Sequence, residues 1–378
     1  MKIKLDRARL RRFIQFPLTR IVVGIFWVPI FVALGELVTK RLPAALSFYK
    51  PIVLALCALL GYYTFVRILE RRKPGELLAL SAPLEFLAGL LIGGLLISST
   101  VAALHLFDVF AVTGRNDWTV ILAPLAAAVL AGVLEELIIR GIVFRIAEEW
   151  FGSGIAIAGS AALFGALHIP NPGSSVVSVI AIALEAGVML AAAYMLTRRL
   201  WLPIGTHIAW NFVQGGIFEI ATSGVATKGW LISTLSGPKY LSGGAFGAEA
   251  SVVAIVICFS AGMGMLWLAY RRNHWIRRRA YYLGPRSETC RNRTSSRDGG
   301  DSQFKQGETP SMNSLQFDTL VFWERELRIG CESAPTSSAH SLARSSLSPA
   351  ATDRDDRARH SSSGPSAHRD SGACPSVR

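Results

Sequence analysis

The chain is short of charge. Of its 378 residues only 17% are Asp, Glu, Lys or Arg, while 51% are hydrophobic; ordinary soluble domains carry about 25% charged residues. The apolar excess is concentrated between residues 21 and 270. It fits one helical bundle in a membrane and calls for no soluble domain. Cysteine is scarce too. Cys57, Cys258, Cys290, Cys331 and Cys374 are scattered with no CxxC pair, so neither a disulfide framework nor a thiolate metal site is expected. There is no HExxH and no convincing Ser or Cys nucleophile with a paired base; nothing places Ser160, Ser174 or Ser175 beside one. No internal repeat is visible, which counts against a transporter built from paired halves. The basic arm KIKLDRARLRRF precedes an apolar run without a small-residue cleavage site, so a retained first helix is expected rather than a removed signal peptide.

What is present is a series of apolar segments, eight in all, at 21–38, 51–67, 83–104, 119–139, 154–169, 176–196, 203–219 and 250–270. Several approach the roughly 20 residues that cross about 30 Å of hydrocarbon. Those at 154–169 and 203–219 are short and are expected to tilt or to stay shielded by the bundle. The expected fold is all-α, a polytopic transmembrane bundle of about eight helices. The net charge of +13 signals topology rather than nucleic acid, because the basic residues flank the segments. Arg7, Arg9, Arg11, Arg12 and Arg20 precede the first segment. Arg67, Arg71, Arg72 and Lys73 follow the second, Arg140 and Arg145 the fourth, Arg198 and Arg199 the sixth, and Arg271, Arg272, Arg277, Arg278 and Arg279 the eighth. The alternate loops are poorer in such residues, with Lys40 and Arg41 the mild exception. Both termini are therefore expected in the cytoplasm. The organisation reads as a basic arm (1–20), a transmembrane domain (21–270) and a basic, then Ser/Arg/Asp-rich tail (271–378), whose composition builds little core. Within the tail, 314–329 has the pattern of an amphipathic surface helix, and a local apolar patch fits it equally.

Three of the oily segments carry polar residues. Glu135 and Glu136 lie in PLAAAVLAGVLEELIIRGIVF, where carboxylates are expensive and usually functional. Glu136 and Arg140 share a helix face at four-residue spacing and can pair; near the cytoplasmic end, Arg140 is expected to snorkel or cap the pair. Glu135 is rotated by about 100 degrees and can point into the bundle as a general base. His168, one turn after Phe164, is followed by the helix-breaking IPNPG. Its expected place is on the side away from the tail, awkward for contact with Glu135. His207 and Asn211 also share a face, where they can polarise a carbonyl or glue helices together. Each residue alone has a structural reading, as a helix anchor or packing group. A shared polar pocket explains all of them at once.

These motifs, Glu135-Glu136-Leu137-Ile138-Ile139-Arg140, Phe164 to His168 and His207 to Asn211, resemble in order and spacing the EExxxR, FxxxH and HxxxN pattern of the CAAX protease and bacteriocin-processing (CPBP or Abi) intramembrane proteases. That family includes the eukaryotic Ras-converting prenyl endopeptidase. The resemblance covers about 115–215. It implies that Glu135 and His168 activate water, that His207 and Asn211 stabilise the oxyanion, and that Glu136 and Arg140 support the site.

The expected function is an intramembrane endopeptidase acting on membrane-associated proteins or peptides, prenylated or leader-bearing, in the lipid bilayer and without nucleic acid. The expected location is a bacterial cell membrane, as a multi-pass protein. The favoured chemistry requires no cofactor. Zinc held by Glu135, His168 and His207 stays open as a two-His, one-carboxylate alternative. The non-enzymatic alternatives are bacteriocin self-immunity or scaffolding by binding, and proton-coupled transport.

Overall fold

A computed structural model describes residues 13–277, apart from 42, 44, 45, 47, 48, 78 and 79. The expectations for the arm up to residue 12 and for the tail beyond 277, including the 314–329 segment, lie outside the described residues.

Each of the eight apolar segments is a helix. They are α1 (Pro17–Thr39), α2 (Lys50–Leu69), α3 (Ala82–Leu106), α4 (Trp118–Phe151), α5 (Ser153–Leu167), α6 (Val176–Thr197), α7 (Trp201–Asn211, continued by a wide turn over Phe212–Ile217) and α8 (Val252–Arg271). The chain is a polytopic helical membrane protein in which six helices, all but α5 and α7, are long and apolar enough to cross a bilayer. Their outward faces are apolar. On α3, Leu84, Leu87, Leu91 and Leu95 form an exposed stripe, as do Val22, Phe26, Ile30 and Leu34 on α1. In water such stripes would be large apolar patches; in hydrocarbon they meet a matching solvent.

Local sequence sets the helix ends. Proline occupies the first turn of α1, α2 and α3, where its missing N–H costs nothing. Ser175 and Ser178 form a capping box at the start of α6, and Ser251 caps α8. Arg198, in the left-handed conformation, ends α6. Gly152, at φ +78°, makes the one-residue break between α4 and α5, a conformation that glycine adopts without steric cost.

Three features depart from the sequence reading. First, α4 does not stop near residue 139 but runs on to Phe151. Arg140, Arg145 and Glu148 end the apolar run in sequence, yet all three are buried and paired inside the protein. Second, an antiparallel ribbon joins β1 (Phe110–Arg115) to β2 (Leu231–Leu235), with Phe110 opposite Leu235 and Arg115 opposite Leu231. Two short strands so far apart in the chain leave no local pattern to read. Third, α-helical geometry relaxes into π-helical turns over Phe65–Leu69, Leu137–Phe144, Ala183–Gly187 and Phe212–Ile217. Such turns cluster at functional sites, and the last three adjoin or contain the polar residues described below.

The closest packing uses small residues. A Cβ built on Gly93 of α3 would lie 2.1 Å from the Thr206 carbonyl oxygen of α7, and one on Gly89 would lie 2.4 Å from that of Leu202. On α4, a Cβ at Gly132 would meet the Ile208 side chain at 2.6 Å and its backbone nitrogen at 3.1 Å. Small residues permit such backbone approach between membrane helices. Here they clamp α7 from two sides, at the residues either side of His207.

At the Arg145 end of the bundle a buried charge cluster ties α1, α2 and α4 together. Arg145 donates to both Glu70 carboxylate oxygens at 2.8 Å, and Arg20 joins the same carboxylate. Arg72 pairs with Glu70 and Glu76. The Tyr62 hydroxyl donates to Glu76 and lies 3.1 Å from the Gly141 carbonyl of α4.

Candidate active site

The continuation of α4 to Phe151 settles where the polar residues meet. α4 and α5 are joined only by Gly152, and α5 packs back against the Leu137–Phe151 part of α4. Glu135 lies 17 residues before Gly152 (152 − 135) and His168 lies 16 after it (168 − 152). At about 1.5 Å per residue, both stand about 25 Å from the turn. The expected separation of the two groups is thereby corrected: they line one cavity. It has a volume of about 260 Å³ and is also lined by Phe164, His207 and Asn211. Residues from α4, α5 and α7 thus share one space.

The two adjacent glutamates are in different environments. Glu136 is fully buried, and its Oε1 accepts from Arg140 at 2.7 Å and from the Nδ1 of His207 at 3.0 Å. Arg140 does not snorkel. It is fully buried, spans to the Ala186 and Gly187 carbonyls of α6 at 3.0 and 3.2 Å, and lies over the Phe164 ring at 4.8 Å. Glu135 keeps 36% of its side chain accessible and faces the cavity. Its Oε2 stands 3.8 Å from the Nε2 of His207. His207 is therefore held between the two carboxylates, one nitrogen toward each.

Phe164 organises both imidazoles, with ring centroids 4.8 Å from His168 and 6.1 Å from His207. His168 caps the C-terminus of α5, and its Nδ1 lies 2.7 Å from the Phe164 carbonyl oxygen. A carbonyl only accepts, so Nδ1 carries the proton in that bond, and the neutral ring keeps its lone pair on Nε2. Asn211 lies one turn beyond His207, and its side chain makes no hydrogen bond to the described residues.

Chemically, the cavity holds an accessible carboxylate, an imidazole with a free basic nitrogen, and an imidazole and carboxamide one helical turn apart. Among the described residues no group of three or more His, Cys, Asp or Glu side chains is placed to hold a metal ion; the bond from His207 Nδ1 to Glu136 leaves Nε2 as the open nitrogen of that ring.

Sequence reasoning missed two acidic residues of the same cavity, Glu185 on α6 and Glu249 just before α8. Glu185 interrupts the apolar segment 176–196, the signal that singled out Glu135. Glu249 lies in a loop rich in Gly and Ala and gives no such signal.

No curated protein and no solved structure matches the chain. Residues 116–213 do match the family model described as type II CAAX prenyl endopeptidase Rce1-like. The matched span contains Glu135, Glu136, Arg140, His168, His207 and Asn211, and over it the chain carries a CAAX protease domain of the Rce1-like family.

Proposed function

We propose that the protein is an intramembrane endopeptidase that hydrolyses peptide bonds of membrane-associated substrates. One observation carries this reading: Glu135, His168, His207 and Asn211, from three helices, line one cavity within the span that matches a peptidase family. Glu135 is the general base, since Glu136 is committed to Arg140 and His207. His168 assists through its unprotonated Nε2, and together they take the proton from a water molecule as it attacks the carbonyl carbon. Asn211 donates its amide N–H to the developing oxyanion, and His207 does so through Nε2 when the ring is doubly protonated. Glu136 orients His207, and Arg140 neutralises Glu136. No step is routed through a metal.

The same reading puts both termini in the cytoplasm, with all eight helices forming the membrane domain in a bacterial cell membrane. The basic residues flanking α2, α6 and α8 support that orientation. Prenylated peptides are the substrate class that the family description favours.

The test is cleavage of a library of membrane-anchored peptides by the purified protein, alongside Glu135→Gln and with a chelator. Cleavage by the wild type alone, surviving chelation, supports the reading. Loss on chelation with recovery on adding zinc would replace it with metal chemistry. No cleavage by folded protein would favour immunity by binding, or transport.

A further inference from the structure

The cavity has a second polar wall that the hydrolytic scheme does not use. Glu185 is 1% exposed and Glu249 2% exposed, and both line the space that Glu135 and His168 line. Glu249 accepts the backbone N–H of Ser223, and burial pushes its carboxyl up to about 7 against the pull of that bond and of the Trp210 indole. Glu185 interacts with the Cys258 thiol and with Glu249, while its Oε2 is buried without a hydrogen-bond partner. Among the described residues no Lys or Arg lines the cavity.

Two nearly fully buried carboxyl groups that act on one another cannot both ionise cheaply. Sharing one proton leaves the pair a single negative charge and a surplus of acceptor oxygens. An ionised carboxylate only accepts, so the matching group carries N–H donors and one positive charge. Intramembrane acids characteristically face a partner of this kind; among the described lining residues His207 acts on Glu249 electrostatically, and no Lys or Arg does so from the cavity wall. An apolar side chain would leave Glu185 Oε2 stranded, and an acidic one would add repulsion.

Building on the endopeptidase reading, we propose that Glu185 and Glu249 form a specificity subsite that takes one basic side chain, lysine or arginine, of the peptide being cleaved. The subsite shares a cavity with the reacting groups, so the basic residue lies close to the scissile bond. The charge pair forms as the peptide enters and holds its carbonyl in register with Glu135.

The experiment uses the full chain in detergent and membrane-anchored peptides with one cleavage site. Lys, Arg, Met or Glu is placed in turn at each flanking position. At one position, Lys or Arg should exceed Met by at least about tenfold in kcat/KM, and Glu should fall below Met. The Lys-to-Met ratio should drop towards one in Glu185→Gln and in Glu249→Gln, and return in Glu249→Asp, with melting temperatures showing that each variant is folded. Equal wild-type rates at every position, or a basic preference that persists in both Gln variants, would overturn the subsite. Anisotropy binding of the same peptides to Glu135→Gln separates this idea from the peptidase reading. Tighter binding of Lys than Met peptides without any wild-type cleavage keeps the subsite and removes the peptidase. Cleavage without basic preference does the reverse.

Discussion

Glu136 Oε1 accepts two hydrogen bonds at once, from Arg140 at 2.7 Å and from His207 Nδ1 at 3.0 Å. One buried oxygen thus fixes the orientation of an imidazole on a different helix. Adjacent glutamates consequently differ in what their loss would do. Glu136→Gln leaves Arg140 fully buried without its counter-charge, and breaking such a pair costs about 3–5 kcal/mol. Thermal unfolding in detergent should show a markedly lower melting temperature, with activity reduced as His207 loses its anchor. Glu135→Gln removes a partly accessible carboxylate whose ion-pair contact is to His207, at the longer distance of 3.8 Å. It should leave the melting temperature nearly unchanged and lower kcat by about 10²–10⁴. Equal stability losses in the two variants would contradict the division of labour.

His168 and Phe164 provide a second contrast. Among the described residues, the only side-chain hydrogen bond of His168 is to the Phe164 carbonyl at the end of α5. His168→Ala should abolish cleavage with a small effect on folding. Phe164 touches His168, His207 and Arg140 from one buried ring. Phe164→Ala should cost about 3–5 kcal/mol and reduce activity as well. Paired measurements of melting temperature and kcat would reveal whether the ring positions the imidazoles or merely fills space.

The charge cluster at the other end of α4 predicts how stability depends on pH. Burial opposes ionisation of Glu70, yet Arg145, Arg72 and Arg20 hold its carboxyl below the ordinary value. Burial likewise opposes ionisation of Glu76, which its bond from Arg72 holds down. A depressed folded-state pKa adds stability that is fully present above the unfolded value, about 4.3, and is lost as pH falls through the folded value. Melting temperature should therefore be level with respect to these groups above about pH 5 and fall at lower pH. Glu70→Gln should lower the plateau and flatten the acid limb. An unchanged limb in that variant would show that other carboxylates govern acid unfolding.

The position of the helices was legible because membrane-length apolar runs are a strong local signal, and all eight runs are helical. The end of α4 was not legible. Arg140, Arg145 and Glu148 look like a polar boundary in sequence, whereas in the fold their charges are met by Glu136, Glu70 and Arg198 from inside the protein. That single misplacement moved Glu135 toward a helix end and made His168 look remote. The β1–β2 ribbon joins residues more than a hundred positions apart, and such long-range pairing leaves no periodicity. Of the cavity, Glu135, His168, His207 and Asn211 stood out as polar residues in oily runs. Glu185 carried the same mark, and Glu249 needed the fold.

The α3–α7 contact bears on the site although neither Gly89 nor Gly93 lines the cavity. Both glycines face the α7 backbone just before His207, and Gly132 of α4 faces Ile208 just after it. Backbone opposes the missing Cβ at Gly93, so an added methyl cannot be absorbed by a rotamer change and the helices must separate. Overpacking of this kind costs about 1–3 kcal/mol. Displacing α7 against α4 also disturbs the His207–Glu136 bond, and small misplacements of a positioned group can cost about 10²-fold in rate. Gly93→Ala should therefore lower both melting temperature and kcat. Gly94→Ala on the same helix, where an added Cβ meets nothing within 4 Å, should change neither. If the two variants behave alike, the close approach of α3 does not position His207, and the clamp reduces to the Gly132 contact alone.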